Sequence, residues 1–211
     1  MPGSGSPEAF SIVAILRGVA PENVVGIARG LVGAGIRVIE VPLNSPNPFE
    51  SISRLRDAVG TSCLCGAGTV LKADDVDRVR DAGGRLIVSP NTDPRVIARA
   101  VALGMVVMPG FATATEAFAA IDAGATRLKL FPASSYGPAH VKALRAVLPR
   151  DTALFAVGGI GAEQVTLWAE AGVSGFGFGS ELFKPDYSID EVISRAKRLV
   201  ASTARAMNER Q

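Results

Sequence analysis

"TRLKLFPAS", residues 126–134, decides how the chain is read. On a β-strand, Leu128 and Leu130 share one face, while Arg127, Lys129 and Phe131 share the other. Pro132 cannot donate to a ladder and ends the strand. Lys129 therefore points away from the leucines, into a second apolar layer. Burying an ammonium is costly unless it is paired or gives up its proton. A strand with a lysine turned inward calls for a fold whose interior has work for an amine.

Seven further apolar runs repeat the pattern: "IVAIL", "IRVIEVP", "CLCGAG", "LIVSP", "MVVMPG", "ALFAVGG" and "GFGFGS". Between them lie helical stretches, among them "APENVVGIARGLVGAG", "KADDVDRVRDAGG", "TDPRVIARAVALG", "TATEAFAAIDAG" and "GAEQVTLWAEAG". Several open near Thr or Asp and close in Gly, the usual start and stop signals. Glu116 stands three residues after Thr113, the spacing of a capping box. Strand and helix alternating through eight units predict a parallel sheet closed as an α/β (β/α)8 TIM barrel. A doubly wound open sheet is the alternative, but no switch point is visible. The reading gives one barrel domain over residues 11–211, after a disordered lead-in at residues 1–10.

Composition narrows the function. The 211 residues are 48% hydrophobic, enough for a sizeable core. Net charge is +2, with 22 basic and 20 acidic residues and no basic run, which argues against nucleic acid as a partner. The start lacks the basic and apolar regions of a signal peptide, and no apolar run is long enough to span a membrane. Cys63 and Cys65 would share a strand face as small core thiols in a reducing cytoplasm. With a single histidine, His140, a Cys/His metal site is not expected. His140 reads as a surface or capping group and Trp168 as packing or a subunit contact; Met105 and Met108 read as strand filler.

In such a barrel the carboxyl ends of the strands build the active site. Those positions hold Arg17, Glu40, Thr69, the Ser89-Pro90-Asn91 turn, Pro109, Lys129, Gly158-Gly159 and Gly179-Ser180. A desolvated Lys129 would have a depressed pKa and could attack a carbonyl to form a Schiff base. Alternatively it is half of a structural ion pair with Glu40. Glu40 also points inward, where desolvation and nearby cations set it up as a general acid or base. The glycine turns after the last two strands suit a phosphate, with the helix following Gly159 offering its N-terminus and Ser180 a hydroxyl. Arg17 could clamp a carboxylate or pair with Glu40. Thr69 is either a hydroxyl donor at the pocket or an N-cap.

The motifs "AILRG", "VIEVPLNSP", "GAGTVL", "SPN", "MPGFATATEA", "LKLFPAS", "GPAHVKAL", "FAVGGI" and "GFGS" together resemble the bacterial class I aldolases acting on 2-keto-3-deoxy-6-phospho sugar acids. "PLNSP" and "AVGG" resemble the galactonate branch, because the gluconate and hydroxyglutarate branch carries an Arg-Thr pair at Asn44-Ser45 and a Thr at Val157. The resemblance implies Lys129 as the Schiff-base residue and Glu40 as the proton shuttle. It implies Arg17 and Thr69 at the keto-acid end, and Gly158, Gly159, Gly179 and Ser180 at the phosphate. Pro109 and Phe131 would line the pocket, and Val157 would set the stereochemical preference. The family works as a homotrimer, without metal or cofactor, on a phosphorylated keto acid. The gluconate epimer and 4-hydroxy-2-oxoglutarate remain alternative substrates. An isomerase or synthase barrel, or a silent sugar-phosphate sensor, stays open on the residues alone.

Overall fold

The computed structural model describes residues 11–209, so the lead-in at residues 1–10 lies outside it. The strands are β1 (Ile12–Ile15), β2 (Val38–Pro42), β3 (Leu64–Gly68), β4 (Leu86–Val88), β5 (Val106–Met108), β6 (Gly110–Phe111), β7 (Arg127–Leu130), β8 (Ala153–Val157) and β9 (Gly175–Phe178). All pairings are parallel, in the order β5-β4-β3-β2-β1-β9-β8-β7-β6. The expected eight staves are present as nine segments. Pro109 has no N–H and interrupts the fifth stave, so β5 pairs with β4 and β6 pairs with β7. The Lys129 N–H donates to the Pro109 carbonyl at 2.9 Å across this break. The sheet is thus a nearly closed TIM barrel.

The helices between the strands are α1 (Pro21–Gly33), α2 (Pro48–Val59), α3 (Ala73–Asp81), α4 (Pro94–Ala102), α5 (Ala114–Asp122), α6 (Ala133–Tyr136), α7 (Pro138–Arg145), α8 (Val165–Glu170) and α9 (Ile189–Asn208). The capping box at α5 forms as its spacing predicts. Thr113 Oγ1 accepts from the Glu116 N–H, and Glu116 Oε2 accepts from the Thr113 N–H. Helix α8 starts later than "GAEQVTLWAEAG" suggests. Gly161 to Gln164 form a turn closed by the Gln164 N–H on the Gly161 carbonyl.

Side-chain alternation sorts two cores. Leu128, Leu130, Ala14, Leu16, Ile39, Val41, Cys63 and Cys65 pack outward against the helices. Val13, Ile15, Val38, Leu86, Val88, Met108, Phe155 and Val157 fill the barrel itself, with Phe131 against them. Trp168 is buried in the helix layer, so its role within this chain is packing. The two free thiols are buried, and desolvation pushes that of Cys63 up to about 12.

Four helices, α2, α6, α7 and α9, fall outside the helical stretches named from sequence. Helix α2 begins at Pro48, the last residue of Pro46-Asn47-Pro48, a run that punctuates like a loop. Helix α9 carries its own signal, since buried Val192, Ala196, Leu199, Thr203 and Ala206 recur at alternating steps of four and three. Among the described residues no helix is long and apolar enough to cross a membrane.

Candidate active site

Strand β2 carries Glu40 and strand β7 carries Lys129, each on the inward face. They are only 2% and 6% exposed. Burial raises the Glu40 carboxyl to about 7, against the opposing pull of the Lys129 and Arg17 charges. Burial likewise lowers the Lys129 ammonium to about 8, which Glu40 partly offsets and Arg17 reinforces. Desolvation outweighs attraction at both groups, so each is driven toward its neutral form near neutral pH.

The alternative of a structural ion pair is not what forms. Among the described residues no ion pair joins Glu40 to Lys129 or to Arg17, and Glu40 Oε2 has no hydrogen-bond partner. The Lys129 ammonium lies 4.8 Å from the centroid of the Phe131 ring, a cation–π contact that holds the amine without consuming it. An unsatisfied buried carboxylate oxygen and a weakly held amine are expensive to maintain. Such groups fit a site that binds something.

Gly68 makes room for this arrangement. A methyl group at that position would collide with the Glu40 carboxylate. Sequence reading had no place for Gly68, although a small residue ending the strand beside an inward acid is the available signal.

At the rim, Arg17 is exposed just beyond β1. Its Nη1 donates to Asn44 Oδ1 at 2.6 Å and its Nη2 to Thr69 Oγ1 at 3.4 Å. Thr69 is not an N-cap. Lys72 takes that place at α3, and Thr69 instead sits in the left-handed region at φ 55°. Backbone strain of this kind in a non-glycine residue costs on the order of 1–3 kcal/mol and clusters at working sites. Ser89 is turned to structural use, its hydroxyl donating to the Asn91 carbonyl at 2.7 Å.

The loops after β7, β8 and β9 meet on the opposite side. Gly158 and Gly159 have φ of 98° and 73°, where a side chain would be strained. A Cβ on Gly158 would press on the Phe131 ring, and one on Gly159 on the Ser134 hydroxyl. The Ser134 N–H donates to the Gly158 carbonyl at 3.1 Å, tying the lysine strand's loop to the glycine turn. The Gly179 carbonyl accepts from the Leu182 and Phe183 N–H groups, both at 2.9 Å. That opens a helical turn at Ser180. The N–H groups of Gly159, Ser180 and Glu181 donate to no protein acceptor among the described residues. One part of the sequence reading needs correction. Helix α8 begins at Val165, so any anion here would meet the free N–H groups of the turns, not a helix N-terminus.

His140 is half-buried and ties two segments together. Its Nε2 lies 2.7 Å from the Ala112 carbonyl and its ring packs on Tyr136 at 5.0 Å, joining α7 to the loop after β6. A separate cleft of about 260 Å³ lies beside Gly18, Asn23, Phe183, Tyr187 and Ser188, without Lys129 or Glu40 in its wall. No group of three His, Cys, Asp or Glu side chains is placed to hold a metal ion among the described residues.

A family model described as "Aldolase: KDPG and KHG aldolase" matches residues 8–197. This chain belongs to the KDPG and KHG aldolase family. It is 46% identical over 196 residues to the 2-dehydro-3-deoxy-6-phosphogalactonate aldolase of Escherichia coli (strain K12), covering 93% of this chain and 96% of that protein. It is 48% identical to a probable 2-dehydro-3-deoxy-6-phosphogalactonate aldolase of Rhizobium meliloti (strain 1021), covering 93% and 92% respectively. A solved structure of "native KDPGal" superposes with a TM-score of 0.92 at 46% identity, over 93% of this chain and 96% of that one. An aldolase of this family is a lyase, which makes this barrel an enzyme and removes the sensor and isomerase alternatives.

Proposed function

We propose that this aldolase reversibly cleaves 2-dehydro-3-deoxy-6-phosphogalactonate to pyruvate and D-glyceraldehyde 3-phosphate through a Schiff base on Lys129. The observation that carries the reading is the inward pair of Glu40 and Lys129, both buried and neither tied up in an ion pair. The neutral Lys129 amine adds to the C2 carbonyl, and loss of water gives an iminium. Glu40 in its ionised form takes the proton of the C4 hydroxyl. The C3–C4 bond breaks, its electron pair flows to C2, and the enamine of pyruvate is left on Lys129 as the aldehyde departs. Protonation at C3 by Glu40 and hydrolysis of the imine release pyruvate and restore the amine. No step calls on a metal or cofactor.

The two ends of the substrate find complementary groups. Arg17 and Thr69 suit the C1 carboxylate. The unpartnered N–H groups at Gly159 and Ser180, with Gly158 and Gly179 allowing close approach, suit the 6-phosphate. Pro109 and Phe131 close the wall beside Lys129. Val157 lies inward at 3% exposure and offers only methyl groups to the C4–C5 region. An apolar contact there cannot reward a hydroxyl of the wrong configuration, which supports the galactonate epimer and agrees with the named relatives. Pyruvate release from the galactonate and gluconate epimers, compared as kcat/KM, tests this. The galactonate epimer should win by roughly 10–200-fold, the scope of one such contact. Parity or a gluconate preference would overturn the epimer assignment while leaving the aldolase intact. We further place residues 11–211 in one catalytic domain, working in the cytoplasm as a homotrimer in carbohydrate breakdown, on the strength of the family resemblance.

A further inference from the structure

Arg17 is exposed and would be free to swing, yet Asn44 and Ser45, just beyond β2, hold its guanidinium and the backbone of its neighbour Gly18. Asn44 Oδ1 accepts from Arg17 Nη1 at 2.6 Å, and Ser45 Oγ accepts from the N–H of Gly18, the next residue along, at 2.9 Å. The segment that supplies these groups is itself anchored. The Leu43 N–H donates to the Gly68 carbonyl at 2.8 Å, and the Ser45 N–H to the Pro42 carbonyl at 2.9 Å. The Leu16 N–H donates to the Glu40 carbonyl at 2.9 Å, so the end of β1 is registered against the residue that carries the acid. Ser45 is buried, whereas Asn44 is exposed and serves no core.

We infer that Asn44 is a positioning residue that holds the Arg17 guanidinium where it reads the substrate carboxylate, with Ser45 fixing the backbone beneath it. The inference rests on the carboxylate role of Arg17 given above. A long arginine side chain loses much rotamer freedom when it binds, and a fixed acceptor removes that cost before substrate arrives. An amide oxygen is suited to the task. A carboxylate at residue 44 would hold the guanidinium equally well but cancel the charge that the substrate needs.

Deuterium exchange of the pyruvate methyl group, followed by proton NMR, reads imine formation at the carboxylate end without any phosphate. Arg17→Ala should raise KM for pyruvate by roughly a hundredfold, as loss of a bidentate charged contact does. Asn44→Ala should raise it by about tenfold, with exchange at saturation and the fraction of enzyme trapped by borohydride close to wild type. In the Arg17→Ala background, Asn44→Ala should add nothing, because it acts only through Arg17. An unchanged KM in Asn44→Ala, a full additional loss in the double variant, or a fall in exchange at saturation with KM unmoved would each overturn the inference. An unchanged KM in Arg17→Ala would instead remove the carboxylate role of Arg17 and the inference with it.

Discussion

Lys129→Met should abolish aldol cleavage, by roughly 10⁶-fold, the scale seen when a covalent nucleophile is removed from an enzyme. Methionine keeps the length and apolar character of the lysine stem within the barrel, so a folded protein with an unchanged circular dichroism spectrum is expected. Borohydride with pyruvate should reduce the imine to a secondary amine on Lys129 of the wild type and label nothing in the variant. Lys129→Arg should be equally dead, since a guanidinium stays protonated and cannot attack a carbonyl. Turnover surviving in either variant would sink the Schiff-base mechanism. A merely electrostatic lysine would let arginine substitute.

Glu40→Gln should cost roughly 10²–10⁴-fold in kcat/KM, the span of general acid–base catalysis. Its pH profile carries the stronger test. Wild-type kcat/KM requires Glu40 ionised, with a pKa raised to about 7, and Lys129 neutral, with a pKa lowered to about 8. Both fractions grow as pH rises. Activity should therefore climb toward alkaline pH and level off above about 8. Below about 7, where both groups hold their protons, it should fall by roughly a hundredfold per pH unit. Glu40→Gln removes one of the two protons, so the fall becomes roughly tenfold per unit. The limb that remains should also move to lower pH, because the Glu40 charge is what raises the Lys129 pKa. A steady-state pH series on both proteins checks this. An unchanged slope in the variant would assign the proton transfer to another group.

The inward placement of Lys129 and Glu40 was legible in the sequence because the strand period is short and strict. One residue separates the leucine face of β7 from the lysine face, and the same rule turned Glu40 inward on β2. Strand number was legible for the same reason. Three things were not. The break at Pro109 depends on where the neighbouring strands put their donors, a relation between β4, β5 and β7 that no local pattern contains. The left-handed backbone of Thr69 belongs to a residue type that usually avoids it, and only the assembled pocket demands it. Asn44 stood out in the sequence only as part of the motif "PLNSP", with no partner named for it. Its tie to Arg17 spans 27 positions of sequence and appears only once β1 and β2 stand side by side. Helix α9 is a different case, since its periodicity is written plainly. The glycine turns were placed correctly, but the helix after Gly159 was drawn too close, because a turn at Gly161–Gln164 has the same polar composition as a helix start.

The two thiols at the start of β3, Cys63 just before it and Cys65 within it, give this enzyme a clock of its own. Cys63 and Cys65 face the helix layer at 2% and 1% exposure, and their pKa values are pushed upward, so in the closed protein neither presents a thiolate to solvent. A disulfide reagent such as Ellman's can reach them only when α2 or α3 lifts from the sheet or the whole chain unfolds. The colour it releases would then count opening events at the strand that carries Gly68. Added substrate should slow that reaction by mass action in proportion to its occupancy. The ordinary contents of the helix layer thus report, without any introduced label, how tightly that layer is held against the barrel.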